Sequence, residues 1–275
     1  MKTTSPGGLC AGPPLLFMAG ALMCLTPPAH AQPGSVSPPA DTQQNANAAL
    51  NRAIESYDRK DYASALPIFR KEADAGNSEA SMYLGVMYGT GQGVPVDYQR
   101  AMARFRKAAA GGDPQAMCNI GALYFQGSGV RQNPTEAMSW FRKAAAAGNS
   151  QATFNIGVLY RDGLGLPVDY PVDYTEAMRW FRYAADEGNA LAKNSIGVLY
   201  QRGQGVAVDD SEALKWFRAA AEDGNDAAMY NIGVFYETGL GVTVNREEAV
   251  IWYRNAAAAG NQEARSSLKR LGVTN

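Results

Sequence analysis

Histidine and cysteine are almost absent from this sequence. Its 275 residues include one histidine, His30, and three cysteines, Cys10, Cys24 and Cys118. All except Cys118 lie within the first 31 residues, which have the pattern of a cleavable export signal. We therefore expect the remaining chain to have no internal disulfide, no histidine-based metal site and no Cys–His nucleophile.

Strong net charge and long apolar runs are also missing. The 25 basic and 26 acidic residues nearly cancel, which disfavours nucleic acid or anionic membrane surfaces as partners. The apolar run Leu15–Leu25 is too short to span a bilayer. It follows Lys2 and precedes Ala29-His30-Ala31, an order typical of a secretory signal. We expect cleavage after Ala31 and a periplasmic or secreted protein without membrane insertion; an uncleaved anchor or a disordered leader is the alternative.

Residues 32–47 contain mainly Pro, Ser, Gln, Asn and Ala. Such a segment has little apolar surface to bury on folding. We expect a flexible linker between the signal (1–31) and the folded part.

A glycine followed by Asn or Asp recurs at a nearly fixed period. The spacings are 36, 36, 40, 36 and 36 residues, which is typical of stacked copies of one supersecondary unit. The dipeptides are Gly76-Asn77, Gly112-Asp113, Gly148-Asn149, Gly188-Asn189, Gly224-Asn225 and Gly260-Asn261.

Each copy has the pattern of a helix hairpin. In Asp226–Asn261, apolar residues recur every three or four positions through Ala228, Ile232 and Tyr236, and the same spacing returns over Ala249–Ala257. A Gly-x-Gly loop separates the two halves. Phosphate-binding glycine loops follow a strand and open into a helix, so we expect these glycines to supply positive φ angles that end the first helix.

Two further patterns concern helix ends and helix contacts. The second helix of most copies opens with Asn or Asp followed three residues later by Glu, as at Asn245 and Glu248, which favours helix capping. A glycine in a helix interior costs about 1 kcal/mol relative to alanine, so its recurrence predicts a close approach of the partner helix. The glycines are Gly85, Gly121, Gly157, Gly197 and Gly233.

The repeated pattern Ile-Gly-Val-x-Tyr, Gly-x-Gly-Val and Glu-Ala-x-x-Trp-Phe-Arg-x-Ala-Ala-x-x-Gly-Asn resembles the Sel1-like repeat, a relative of the tetratricopeptide repeat. Five copies cover Ser78–Asn261. Residues 48–77 resemble a shorter tetratricopeptide-like opening hairpin, and 262–275 a capping helix. The resemblance implies an all-α fold, a right-handed α-solenoid of antiparallel helix hairpins whose first helices line a concave groove. It also implies an adaptor role in protein complexes.

Positions that differ between copies are candidates for partner binding. By analogy with tetratricopeptide domains, we expect two such rows on the first helices to face the groove as exposed residues. The alternative is unselected surface or packing between repeats. The first row holds Met82, Cys118, Phe154, Asn194 and Tyr230; the second holds Gly89, Phe125, Arg161, Gln201 and Glu237.

Two ladders of similar residues favour structural roles over anion binding or ligand contact. We expect the arginines to bond to backbone carbonyls of an adjacent loop and the tryptophans to be buried between repeats. The ladders are Arg106, Arg142, Arg182, Arg218 and Arg254, and Trp140, Trp180, Trp216 and Trp252.

The sequence therefore predicts a non-enzymatic scaffold that binds a protein or peptide partner, without a cofactor or metal. The alternative is an envelope hydrolase acting on a β-lactam or on peptidoglycan. Some cysteine-rich relatives have been proposed to act on β-lactams, but their paired cysteines have no counterpart here. The partner's identity and the oligomeric state stay open.

Overall fold

In this computed structural model, the described residues are 40–164 and 172–273. Regular secondary structure in these ranges is helical throughout, and the described residues fall into two units, 40–164 with 172–173, and 174–273. The helices are α1 (Ala40–Asp58), α2 (Tyr62–Asp74), α3 (Ser78–Thr90), α4 (Tyr98–Ala110), α5 (Pro114–Gln126), α6 (Pro134–Ala146), α7 (Ser150–Asp162), α8 (Tyr174–Asp186), α9 (Ala190–Arg202), α10 (Asp210–Glu222), α11 (Asp226–Thr238), α12 (Arg246–Ala258) and α13 (Gln262–Arg270).

The first unit is a linear stack in which each helix packs mainly on its neighbours in sequence, from α1 to α7. Its core begins with an aromatic cluster. The rings of Phe69 and Tyr83 stack with centroids 4.9 Å apart, and Tyr57 meets Tyr83 edge-on at 5.2 Å. Such stacks gain their stability from the interfaces between consecutive hairpins.

The second unit repeats this arrangement from α8 to α13. Phe217 of α10 contacts Phe235 of α11 edge-on, with ring centroids 5.4 Å apart. At its end, Leu268 of α13 packs with Tyr230 and Tyr253 in a buried cluster. Helices α8–α13 therefore form hairpin layers of the same kind as those of the first unit.

The recurring Gly-Asn or Gly-Asp dipeptide marks a helix start. The glycine has a positive φ, and the Asn or Asp side chain accepts a hydrogen bond from the backbone N–H three residues later. For example, Asn225 Oδ1 accepts from Ala228 N at 2.8 Å. Glycine tolerates this backbone conformation and the capping side chain satisfies a helix amide that has no partner within the helix.

The second helices α4, α6, α10 and α12 begin at an Asn or Asp cap, but the glutamates of α6 and α10 make a different bond from the one predicted. Asn133 and Asp209 cap α6 and α10. The carboxylate of Glu136 accepts from the Trp140 indole at 3.0 Å, and Glu212 accepts from Trp216 at 3.1 Å. In these two copies the glutamate thus positions the indole of the next turn.

The predicted close contact at the interior glycines is confirmed in four copies. A Cβ added to Gly85, Gly121, Gly197 or Gly233 would lie 2.5 or 2.6 Å from a ring carbon of the residue twenty positions later. These rings belong to Phe105, Phe141, Phe217 and Tyr253. The loop glycines also end the first helices in the left-handed conformation, as at Gly239 with φ 79°.

The helix α1 begins earlier than the sequence predicted. It starts at Ala40, so 40–47, assigned to the flexible linker, are helical. Pro39 is the last proline before this stretch, and the alanines and glutamines that follow favour a helix. The predicted export signal and residues 32–39 lie outside the described residues.

Candidate protein-binding surface

The first predicted row does not lie on the surface. Met82, Cys118, Phe154, Asn194 and Tyr230 are between 0 and 6% exposed, so the expectation that they are exposed groove residues is wrong. Their contribution to partner binding stays a prediction, but a partner could not reach these side chains directly in this structure.

Contacts with the next copy explain the burial of this row. The amide of Asn119 points to the Met82 sulfur at 3.4 Å, and the Asn231 amide donates to Asn194 Oδ1 at 3.0 Å. Each pair joins consecutive first helices. The row therefore packs between repeats, which is the alternative that the sequence left open.

Cys118 belongs to the same buried row. It is fully buried, and the Asn155 amide lies 3.7 Å from its sulfur. Cys118 is the only cysteine in residues 32–275, so the expectation of no internal disulfide, which concerns the chain after cleavage, stays a prediction. The other cysteines, Cys10 and Cys24, lie outside the described residues.

The second row is more accessible, but its members differ. Phe125 and Gln201 are half-buried, near the carboxyl ends of α5 and α9. Arg161 is only 8% exposed, and its guanidinium binds the Asp162 carboxylate through two contacts of 2.6 and 2.8 Å. The predicted exposure is therefore wrong for Arg161, and also for Gly89, which is buried.

Glu237, the last member of this row, is half-buried and engaged within the fold. Its carboxylate accepts two hydrogen bonds from Arg270, at 2.6 and 2.8 Å, and one from the Tyr253 hydroxyl at 2.7 Å. The Arg270 hydrogen bonds hold the pKa of Glu237 below its usual value. Its negative charge is thus compensated by the capping helix α13.

The arginine ladder is structural, but its partners are not the backbone carbonyls that we expected. The first four of the five arginines each donate to a tyrosine hydroxyl of the next first helix, at 2.8 to 3.1 Å. The pairs are Arg106 with Tyr124, Arg142 with Tyr160, Arg182 with Tyr200, and Arg218 with Tyr236. The tyrosine recurs with the same period as the arginine, which is the signal that could have revealed the pairing.

The tryptophan ladder is half-buried rather than fully buried. The Trp140 ring packs against the core of the first unit, and the Lys143 ammonium lies 4.2 Å from its centroid. A cation over an indole face stabilises both groups. These contacts give the ring a packing role within one unit.

Two further features concern metal sites and membrane-spanning helices. Within 40–164 and 172–273, no group of three or more His, Cys, Asp or Glu side chains could hold a metal ion. Within the same residues, no helix is long and apolar enough to cross a membrane. Half-buried aromatic and amide groups such as Phe125 and Gln201 suit contact with another polypeptide.

A stack of α-helical hairpins with this ladder geometry defines the class of all-α repeat solenoids, generally protein-interaction modules. A model of the Sel1 repeat matches residues 78–113, 114–149, 150–189, 190–225 and 226–261. The chain therefore belongs to the Sel1 repeat family, which confirms the resemblance and the predicted all-α solenoid.

Solved structures show the same relationship. A Sel1 repeat protein from Oxalobacter formigenes is 33% identical, with a TM-score of 0.72 over 80% of this chain and 88% of the other. The protective antigen c5321 of uropathogenic Escherichia coli is 32% identical, with a TM-score of 0.67 over 81% of this chain and 49% of the antigen. The present chain thus spans about half of that antigen's length.

A more distant likeness concerns the fold alone. The immunity protein Pa5087 from Pseudomonas aeruginosa is 21% identical, with a TM-score of 0.54 over 81% of this chain and 84% of the other. No curated protein matches this chain.

Proposed function

We propose that this protein is an exported, non-enzymatic adaptor that holds a segment of a partner protein on the accessible side of its first helices. The observation that carries the proposal is that adjacent positions of one helix differ in their contacts and in how much they vary between copies. Tyr124 is fixed by Arg106, whereas the adjacent Phe125 is half-buried and varies between copies. Residues that vary beside fixed ones can serve a ligand without disturbing the stack.

Phe125 and Gln201 are the proposed contact residues of the two units, each considered within its own unit. An aromatic ring supplies apolar contact area and an amide supplies both a donor and an acceptor. Arg161 and Glu237 contribute shape and polarity, because their charges are already paired. The buried first row acts indirectly by fixing the spacing of the first helices.

Photo-crosslinking in the intact cell tests this assignment. A photoreactive amino acid would replace Phe125 or Gln201. The matched controls carry the same amino acid at Ser139 or Lys215, which are exposed on the second helices α6 and α10. We expect the same partner to be captured from 125 or 201 and not from the control positions. Capture from 139 or 215 alone would move the binding surface to the second helices.

Affinity measurements with the captured partner separate binding from folding. Phe125→Ala should weaken binding by about 2 kcal/mol if the ring is an anchor, with little change in melting temperature. Phe154→Ala should instead lower the melting temperature, because this ring is buried between copies. An unchanged affinity for Phe125→Ala would remove this residue from the proposed surface.

The alternative, an envelope hydrolase, is tested by incubating the purified protein with a chromogenic β-lactam and with isolated peptidoglycan. The adaptor proposal predicts no turnover above that of buffer. Turnover that persists through purification would overturn the non-enzymatic assignment.

A further inference from the structure

The last arginine of the ladder differs from the first four. Arg254 occupies the position in α12 that Arg218 occupies in α10. Arg218 donates to Tyr236, eighteen residues later, but the residue eighteen positions after Arg254 is Gly272. Among the described residues, Arg254 makes no hydrogen bond or ion pair with another side chain. Its guanidinium donors therefore remain available at the end of the second unit.

Arg254 lines a cleft formed by α12 and α13. The cleft has a volume of about 480 Å³ and is lined by Arg254, Ala257, Ala258 and Arg265. One Arg265 N–H donates to the Ala257 carbonyl at 3.2 Å, which holds this second guanidinium beside the cleft. Two cationic groups thus border an alanine surface, and none of the described residues that line the cleft carries a carboxylate.

The charge of α13 reinforces this arrangement. Its nine residues include Arg265, Lys269 and Arg270 but one acidic residue, Glu263. Arg270 is already paired with Glu237, whereas Lys269 is exposed. The cap of the second unit is therefore basic, although the chain as a whole carries a net charge of −1.

We propose that this cleft binds a glutamate or aspartate side chain of an acidic segment in a partner protein. Guanidinium groups present planar donors that match the two oxygens of a carboxylate. The methyl groups of Ala257 and Ala258 can pack against the methylene groups that carry this carboxylate. The cleft volume lies within the range of sites for small ligands, so it accommodates one or two residues of a peptide.

This site shares no residue with the surface proposed above and depends on a different feature. The cleft arises because α13 ends at Arg270. In the earlier copies the corresponding helix is longer and places a tyrosine against the arginine, as Tyr236 of α11 does with Arg218. The adaptor surface could therefore be disproved by the crosslinking experiment while this cleft still binds its ligand, and the reverse also holds.

The test uses the full exported chain and a short peptide, acetyl-Ala-Glu-Glu-Ala-amide, followed by NMR chemical shifts. We expect saturable shifts of amides in 254–265, weaker binding at higher ionic strength, and no saturable shifts with acetyl-Ala-Gln-Gln-Ala-amide. Arg254→Gln should weaken binding about tenfold, because a charge-assisted hydrogen bond is lost. Its melting temperature should not change.

The matched control is Arg218→Gln, which alters the equivalent position in α10 and should leave the peptide affinity unchanged. Equal loss in both variants, equal binding of the Gln peptide, or no saturable binding to the unaltered protein would each overturn the proposal. A third titration uses inorganic phosphate in place of the Glu and Gln peptides. If phosphate occupies the same residues more tightly than the peptide, the cleft is a general anion site and the assignment to an acidic polypeptide is wrong.

Discussion

Glycine in the middle of a first helix lets the second helix approach closely in the four copies where this contact is described. A Cβ on Gly121 would lie 2.6 Å from a carbon of the Phe141 ring, and a Cβ on Gly197 would lie 2.6 Å from a carbon of the Phe217 ring. The sequence predicted this contact because a glycine that costs helix stability recurs in every copy. It could not name the aromatic partner, since that depends on how the hairpin closes.

We predict that Gly121→Ala destabilises the protein by about 1–3 kcal/mol, because the added methyl group overlaps the Phe141 ring in a filled interior. Chemical denaturation measures this change. Gln126→Ala, at an exposed site of the same helix, should change stability by less than about 0.5 kcal/mol.

A double variant identifies the ring as the cause. Phe141→Leu removes part of the ring, so combining it with Gly121→Ala should cost less than the sum of the two single changes. Strict additivity would mean that the glycine is required for another reason.

At the same scale, the error over the first predicted row has a physical explanation. The period shows which positions are equivalent but not which direction they face. In α3, every residue from Ala80 to Gly89 is buried, because one helix contacts both its own hairpin partner and the neighbouring copies. The residue at a position such as Met82 can therefore differ between copies because its buried neighbour differs, without any contact to a ligand.

The Glu237–Arg270 pair should make stability depend on pH. Because the folded pKa of Glu237 is below its usual value, its contribution is present above the unfolded pKa, about 4.3, and is lost as the pH falls through the folded pKa. We predict that Glu237→Gln costs about 1 kcal/mol at pH 7 and progressively less below about pH 4.3.

Denaturant unfolding of both proteins over a pH series measures this difference. Glu247→Gln, on the exposed side of α12, is the control and should follow the unaltered protein throughout. A stability difference between Glu237→Gln and the unaltered protein that stays constant down to pH 2 would mean that the carboxylate charge is not what matters.

At the scale of the element, helix ends were predicted more accurately than helix faces. Asn or Asp caps and left-handed glycines are local signals: α3 to α6 all begin after an Asn or Asp cap, and α3 and α5 end at a left-handed glycine. The start of α1 was missed because no capping pattern marks it. A segment whose composition suggests a linker can also be helical when it continues a helix that is already stabilised by packing, as α1 is by its contacts with α2.

The capping helix α13 gives an element-scale prediction. Leu268 is 2% exposed and packs with Tyr230 and Tyr253. We predict that Leu268→Ala costs about 2–5 kcal/mol by leaving a cavity. Hydrogen exchange should become faster in α11–α13, because a stack of repeats opens locally from its ends.

Amides of α3 and α4 in the first unit serve as the internal reference and should keep their exchange rates. Lys269→Ala, at an exposed site beside Leu268, is the matched variant and should leave α11–α13 protected. Faster exchange throughout the chain would show that α13 does not act locally.

At the scale of the whole molecule, the fixed period was sufficient to predict a repeat solenoid, and the motif was sufficient to predict the family. The binding partner was not predictable, since the surface that meets a ligand is the part that varies between copies. Phe125 and Gln201 therefore remain proposals, whereas the Arg–Tyr ladder and the glycine–aromatic contacts follow from the structure.

The proposed location of the protein depends on its first 31 residues, and processing there gives the last prediction. Ala29-His30-Ala31 follows an apolar run of the length found in secretory signals. We predict that the protein recovered from the cell envelope or the medium begins at Gln32, which intact mass spectrometry would show. Ala29→Arg and Ala31→Arg together should block cleavage, because the peptidase requires small residues at these positions, whereas Ser35→Arg, beyond the site, should not. Recovery of the unaltered protein with Met1 still attached, outside the cytoplasm and active in partner capture, would show that the segment acts as an anchor.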